Sequence, residues 1–560
     1  MCVGLPVAAW IEDGEAEHSL FRDRTNPPHG CCRIGGVSSF RRILSRSASG
    51  TLAGLLAAFT ALSVAELVAG AVRPAAGPVT VVGGAVVDRT PAAVKDFAIR
   101  TFGQSDKFVL QLGILAVVAL LGVGLGVLSL SHRRTGAAGV LLFGILGSAA
   151  ALSRPDSANI GDALPSIAGA LTGALALYIL AAKAVRVPAD ADGAGAGMWS
   201  RRGFLAAAGV TAVAAASAGA VGRFLTARQG QGAVASRESL ILPAPASAAP
   251  ALPGGVQLKV AGISAFTTPN ADFYRVDTAL TVPQVDAATW RLRIHGTGVT
   301  RPRTYSLDQL LARPLIERDI TLTCVSNEVG GPYIGTARWL GVPLTDLLRE
   351  AGVRRPSQGG QADQLVARSV DGMTLGSPVE DVMDGRDAML AVGMNGQPLP
   401  VDHGFPVRML VPGLYGYVSA CKWITEIELT TFDAYDPYWV KRKWARKAPI
   451  KTQARIDTPK PFARPAAGTV TLAGVAWAQH RGITRVEVRV DDGPWQDADL
   501  APQATADTWR QWSFPWTATP GGHTVTVRAT DGTGQVQTER RTRTIPDGAS
   551  GWHSVFVTVT

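Results

Sequence analysis

At 560 residues the chain is too long for a single hydrophobic core and should hold several domains. Its formal net charge is +10, but no nucleic-acid-binding motif accompanies that charge, so nucleic acid is not an expected partner. The charge fits Lys and Arg that flank membrane segments, or a basic surface that steers an anion. Of five cysteines only Cys324 and Cys421 lie in the C-terminal half, far apart. That spacing excludes a disulfide framework and a paired CxxC zinc site, and the lack of CxxCH excludes covalently attached haem.

Residues 1–45 show no periodicity and are expected to form a disordered cytoplasmic tail. Apolar runs follow at about 51–72, 108–130, 136–152 and 164–182, with a fifth at about 203–221. A membrane-crossing helix needs roughly 17–25 such residues, so 46–185 reads as a four-helix transmembrane region. Arg41, Arg42 and Arg46, then Arg133 and Arg134, then Lys183, Arg186, Arg201 and Arg202 all fall on one side if the N-terminus is cytoplasmic. Residues 186–225 form a separate unit. Ser200-Arg201-Arg202-Gly203-Phe204-Leu205 opens an Ala/Gly-rich run and matches the twin-arginine export pattern, here internal. That route carries folded proteins, which suits a domain loaded in the cytoplasm. Everything after residue 222 is then expected outside the cytoplasm, at the plasma membrane. No span contains a histidine, His132 lying at a boundary, which disfavours a bis-histidine haem in the bundle; Glu66 is the one acid within the first span.

Residues 226–256 are rich in Ala, Pro, Ser and Gly and read as an extended tether. From 257 to 455, short strand-like runs such as Trp290–Ile294 alternate with amphipathic turns at Leu307–Leu311 and Leu344–Leu348, the mark of an α+β domain. From 456 to 560, period-two runs at Thr469–Leu472, Ile483–Val490, His523–Ala529 and Val555–Val559 indicate an immunoglobulin-like β-sandwich.

Four segments could carry chemistry. Thr321-Leu-Thr-Cys324-Val-Ser-Asn-Glu-Val-Gly-Gly331 places a cysteine at the end of a β-rich run, where its sulfur could be a metal ligand, a nucleophile or simply buried. Asn395–Arg408 sets His403 and Arg408 either side of a Gly-Phe-Pro turn, and Gly413–Trp423 is a glycine-bearing loop with Ser419 and Lys422. Asn270-Ala-Asp-Phe273-Tyr274-Arg275 opens the domain. Arg and Lys beside Gly-rich loops suit a phosphorylated ligand.

In this order and spacing the segments resemble the sulfite oxidase family of molybdopterin enzymes, in the branch with bacterial exported members. The resemblance covers about 257–560 and implies a sulfite-oxidase-type molybdopterin domain followed by a dimerisation domain. It implies a molybdenum–molybdopterin cofactor, with Cys324 as metal ligand and catalytic residue. It further implies that His403, Arg408, Ser419 and Lys422 hold the pterin and its phosphate. Asn270, Tyr274 and Arg275 match the segment that closes over the cofactor, and Ser369 matches a polar position of the same pocket. Thr336–Trp339 matches a turn after the cysteine loop.

Departures bear on the substrate. Family members carry arginines just after the metal-binding cysteine, where this chain has Glu328 and Val329, and a tyrosine where it has Val392. Losing cations disfavours a dianion such as sulfite. The expected function is therefore two-electron oxygen-atom transfer on a small oxyanion, S-oxide or N-oxide outside the membrane. A separate electron-transfer partner and a homodimer are expected with it. The alternatives are a true sulfite dehydrogenase and a cofactor-free membrane receptor or scaffold. The basic run Lys441–Arg455 reads as solvated surface, or as an anion funnel or docking site for an acidic partner.

Overall fold

The structure is a computed structural model that describes residues 36–560 except 92–93, 95–96, 98–100, 103–104, 155–156, 158 and 185–195. The expected tail lies outside the described residues as far as 35, and positions 36–45 are helical backbone.

The N-terminal third folds into helices α1 (Gly36–Val72), α2 (Pro78–Arg89), α3 (Asp106–Ser129), α4 (Arg133–Leu152), α5 (Leu164–Ala184) and α6 (Ala196–Glu238). Among the described residues five helical stretches are long and apolar enough to cross a membrane: Ser47–Val72, Lys107–Ser129, Arg133–Leu152, Ile160–Ala184 and Arg202–Glu238. They match the five apolar runs. Small residues let them touch. A Cβ added at Gly54 would lie 1.9 Å from the Gly122 carbonyl oxygen, and one at Gly126 would lie 2.1 Å from that of Gly50. Gly50 and Gly54 on α1 thus cross Gly122 and Gly126 on α3 as paired GxxxG faces, bringing the two backbones into direct contact.

Between the first two spans lies α2, started by Pro78 at a position where its missing N–H costs nothing. One expectation for this region is revised. The tether does not begin at 226, because α6 runs on to Glu238; no proline interrupts it before Pro243. Residues 239–256 are extended but attached: the Ala246 N–H donates to the Leu315 carbonyl at 2.8 Å and the Glu317 N–H to Ser247 at 2.8 Å.

The central domain contains two sheets. The first has strands in the order β2 (Arg303–Ser306), β1 (Arg291–Gly296), β10 (Ile424–Thr430), β5 (Gln364–Ser369) and β6 (Thr374–Pro378), with β1 and β10 parallel. The second runs β3 (Ile316–Thr323), β4 (Ile334–Pro343), β7 (Met389–Met394) and β8 (Gln397–Pro398), with β9 (Arg408–Leu410) on β7. Thr336–Trp339 lies inside β4 and is not a turn; Thr336 and Trp339 are both buried, as the interior of a paired strand requires.

The C-terminal domain is a sandwich of β11 (Gln453–Thr458), β12 (Gly468–Trp477), β16 (Arg510–Ala518) and β15 (Asp499–Leu500) on β14 (Gln496–Asp497), β13 (Ile483–Val490), β17 (Gly521–Asp531) and β18 (His553–Val559). Its core is not separate from that of the central domain, since Val475, Trp477 and Trp509 pack into the same apolar cluster as Trp339. The Trp509 indole N–H donates to the Phe266 carbonyl at 3.0 Å.

The glycine crossing yields an expectation. Gly54→Leu should force α1 and α3 apart and lower stability by about 1–3 kcal/mol, as overpacking does, measured as earlier thermal unfolding of the purified chain in detergent. An unchanged midpoint would show that the contact is not tight.

Candidate cofactor site

Cys324 follows β3 directly, so the last strand residue fixes where the sulfur points. Its N–H donates to the Tyr333 carbonyl at 2.9 Å, and its carbonyl accepts from the Asn327 N–H at 3.0 Å. The Asn327 side-chain oxygen accepts from the Tyr333 N–H at 2.8 Å, closing residues 324–333 into a tight loop. The sandwich braces this loop. Gln479 Nε2 donates to the Thr321 carbonyl at 3.1 Å and to Thr323 Oγ1 at 2.8 Å, and Arg455 donates to the Gly331 carbonyl at 2.8 Å.

Opposite the sulfur, a one-turn 3₁₀ helix ends at His403 and the chain reverses at Gly404. Gly404 has φ +112°, and a Cβ there would meet Arg408 Cβ at 3.1 Å and Lys422 Cα at 3.2 Å. Only glycine allows His403, Arg408 and Lys422 to converge this closely. Arg408 Nη1 donates to the His403 carbonyl at 3.1 Å, and its guanidinium sits 5.0 Å over the Trp339 ring. His403 Nε2 donates to the Asn270 carbonyl at 3.2 Å, which leaves Nδ1 as the acceptor nitrogen. Lys422 Nζ donates to Asp277 Oδ2 at 2.8 Å and to the Asp402 carbonyl at 3.1 Å, and lies 4.5 Å over the Trp423 ring.

These groups border one cavity of about 910 Å³, counting its open mouth. Tyr274, Cys324, Ser369, His403, Arg408 and Lys422 line it. Three further expected residues do not. Ser419 is fully buried with its hydroxyl turned back onto the Leu414 and Tyr415 carbonyls at 2.9 and 3.1 Å, just ahead of the short helical turn (Gly416–Ser419) that it ends. Asn270 stands behind the wall, accepting from Asn395 Nδ2 at 2.8 Å. Arg275 points outward, 3.6 Å from Asp402. Glu328, Val329 and Val392 do not line the cavity; Glu328 is exposed, and Val392 is in the core of β7.

The sequence also left wall residues unnoticed. Asp277, Met373, Leu375, Tyr417, Trp439 and Trp444 also belong to the lining. Trp439 precedes the basic run and Trp444 lies within it, so these aromatics were the available signal.

Burial dominates the electrostatics. It raises the Cys324 thiol, partly offset by the Ser326 N–H, so the sulfur stays protonated at neutral pH unless a cation binds it. Burial and then the Arg408 charge hold His403 below its ordinary range, so it is neutral. Burial lowers Arg408 to about 10, still charged at neutral pH. It lowers Lys422 to about 8, with Asp277 acting in the opposite direction.

Residues 279–439 match the oxidoreductase molybdopterin-binding domain, and residues 453–527 match the bacterial Ig domain. Mouse mitochondrial sulfite oxidase is 32% identical over 290 residues, covering 44% of this chain and 53% of the relative. Chicken sulfite oxidase is 32% identical over 294 residues, covering 44% and 63%. Rice NADH nitrate reductase 1 is 33% identical over 199 residues, covering 31% and 21%. Among solved structures, the sulfane dehydrogenase SoxCD of Paracoccus pantotrophus aligns over 53% of this chain and 82% of its own, at 25% identity and a TM-score of 0.46. The chain spans about half the length of the mammalian relatives it matches. Fold and cavity together define an oxidoreductase domain that binds a molybdenum–molybdopterin cofactor. Residues 279–439 are thus a molybdopterin-binding oxidoreductase domain, similar to that of the sulfite oxidases.

The residues present fit such a group. Ser369 Oγ and Arg408 Nε are buried with no hydrogen-bond partner, and both belong to the cavity wall. Two buried polar atoms without a protein partner in the wall would be costly without a polar ligand.

The brace from the sandwich supplies the next expectation. Gln479→Ala would strip two buried acceptors on the cysteine strand and should cost about 1–3 kcal/mol, read from denaturant unfolding of the full chain. No measurable loss would mean that the Ig-like domain does not hold the strand.

Proposed function

We propose that the chain is a membrane-anchored enzyme that carries out two-electron oxygen-atom transfer on a small substrate outside the cytoplasm. The observation that carries this reading is the meeting of Cys324 with His403, Arg408, Ser369 and Lys422 around one cavity. When bound, the cofactor supplies the two-electron redox chemistry. Among the described residues no cluster of three His, Cys, Asp or Glu could hold a metal unaided. Cys324 Sγ would therefore give the metal one soft ligand, and the cofactor itself would bring the rest. Arg408 and Lys422 would bind the pterin's phosphate, and neutral His403 and the Ser369 hydroxyl would pair with its polar atoms. Tyr274, stacked on Phe273 at 5.2 Å, would close the front of the pocket.

The substrate preference follows from the wall. Its lining cations are Arg408 and Lys422, both needed for the phosphate, and the rest is largely aromatic and apolar. That favours a neutral or weakly charged S-oxide or N-oxide over a dianion. Sulfite remains the competing substrate because the named relatives are sulfite oxidases. A separate carrier would supply or remove the electrons.

Membrane anchoring rests on the five apolar helices and on a geometric agreement. Asp88 of α2, Lys107 at the start of α3 and Arg237 near the end of α6 all contact the central domain, which supports a reading in which they share one side, the side that the positive-flank pattern reads as extracytoplasmic. The twin-arginine pattern at the start of α6 would deliver the loaded domain to that side. Homodimerisation through the sandwich completes the proposal, and the exposed Phe462–Phe556 pair there, ring centroids 6.4 Å apart, offers an apolar patch for it.

Cys324→Ser should leave the fold and most of the pterin in place but reduce turnover by at least about a thousandfold, or ~4 kcal/mol of barrier. Steady-state rates with S-oxides and an artificial donor, and with sulfite and an artificial acceptor, test this. Full activity in the variant would remove the proposed mechanism, and a marked preference for sulfite would replace the proposed substrate.

A further inference from the structure

The cavity wall is held from the side of the helical bundle. Asp277, whose side chain is only 5% exposed, lies between two lysines: its Oδ2 accepts from Lys422 Nζ at 2.8 Å, and its Oδ1 accepts from Lys107 Nζ. Lys107 stands in the first turn of α3, and its Nζ also donates to the Ala279 carbonyl at 2.6 Å. A cation in the first turn opposes the helix dipole, so its position needs a compensating partner, and the Asp277 carboxylate is one. Other contacts reinforce the same grip. Leu280 packs against Gly83 of α2. Asp88 of α2 accepts from the Tyr438 hydroxyl at 2.6 Å and from Arg442 Nη2 at 2.7 Å, next to the wall residue Trp439.

We propose that Lys107 is a positioning residue for the cofactor site: by neutralising Asp277 it leaves the Lys422 ammonium available to the anionic group of the cofactor, so docking of the bundle tightens cofactor binding. This rests on the reading that Lys422 contacts the cofactor's phosphate. Lys422 has three donor hydrogens, two of which are committed to Asp277 and Asp402, leaving one for an anion. With Lys107 present, the buried group of two ammoniums and one carboxylate carries net positive charge and attracts a phosphate. Without Lys107 the remaining Lys422–Asp277 pair is neutral, and its carboxylate faces the incoming anion in a site screened from water. The membrane part of the chain and the redox part would then be coupled through a single carboxylate. The domain would bind its cofactor more weakly before docking on the bundle than after.

The test uses the full chain in detergent and reads molybdenum and pterin retained per chain during prolonged dialysis, with pterin followed by the fluorescence of its oxidised form. Lys107→Ala should lose cofactor about tenfold faster than the wild type, and Lys107→Arg, which keeps the charge, should behave like the wild type. In an Asp277→Asn background the Lys107→Ala change should have no further effect, because the carboxylate it would expose is gone. Lys422→Met is the control for the underlying reading and should also lose cofactor faster. If Lys422→Met loses cofactor while Lys107→Ala retains it as the wild type does, the coupling is wrong and the site assignment stands. If Lys422→Met retains cofactor fully, or the wild type carries none, the site assignment fails and the coupling with it. A Lys107→Ala effect that persists undiminished beside Asp277→Asn would show that Lys107 acts through helix packing rather than charge, and would also overturn the proposal.

Discussion

The backbone reversal at Gly404 is the constraint on which the site depends. A positive φ with no side chain lets the 3₁₀ turn ending at His403 fold back against both β9 and the Lys422 loop. Three polar residues separated by up to 19 positions in sequence thereby reach one small volume facing Cys324. None of them is held only by the ligand it would bind. His403 is tied to the Asn270 backbone, Arg408 to the His403 carbonyl and the Trp339 ring, and Lys422 to Asp277 and the Trp423 ring. Such preorganisation limits the ordering cost of taking up a cofactor.

The opposite wall depends on a different domain. The strand that leads into Cys324 is hydrogen-bonded by Gln479, and the loop after it by Arg455, so the Ig-like sandwich is part of the site's support as well as a candidate dimer surface. The shared core at Trp477 and Trp509 makes the two domains one packing unit. The bundle contributes in turn through Lys107 and Asp88, so all three parts of the chain converge on the cavity rim.

Much of this was legible in the sequence because its signals are local. The five apolar runs are compositional, the sandwich strands alternate cleanly, and Cys324, His403, Arg408 and Lys422 sit in distinctive short motifs. What was hidden depended on tertiary contact. Ser419 looked like a ligand because of its neighbours, but a hydroxyl at the end of a helical turn is captured by the carbonyls behind it. Strand β16 escaped notice because Pro515 interrupts its pattern. Asp277 carries no motif at all, and only the fold reveals that it lies between lysines far apart in the chain. The tether was misplaced because Ala- and Gly-rich sequence without proline can continue an existing helix.

The central claim is that the Cys324 sulfur binds molybdenum in a pterin-bearing pocket. Molybdenum-edge X-ray absorption on the purified full chain tests it most directly. About one molybdenum per chain with sulfur neighbours is expected, and one fewer sulfur in Cys324→Ser. A protein without molybdenum, or a metal whose sulfur count is unchanged by that substitution, would contradict it.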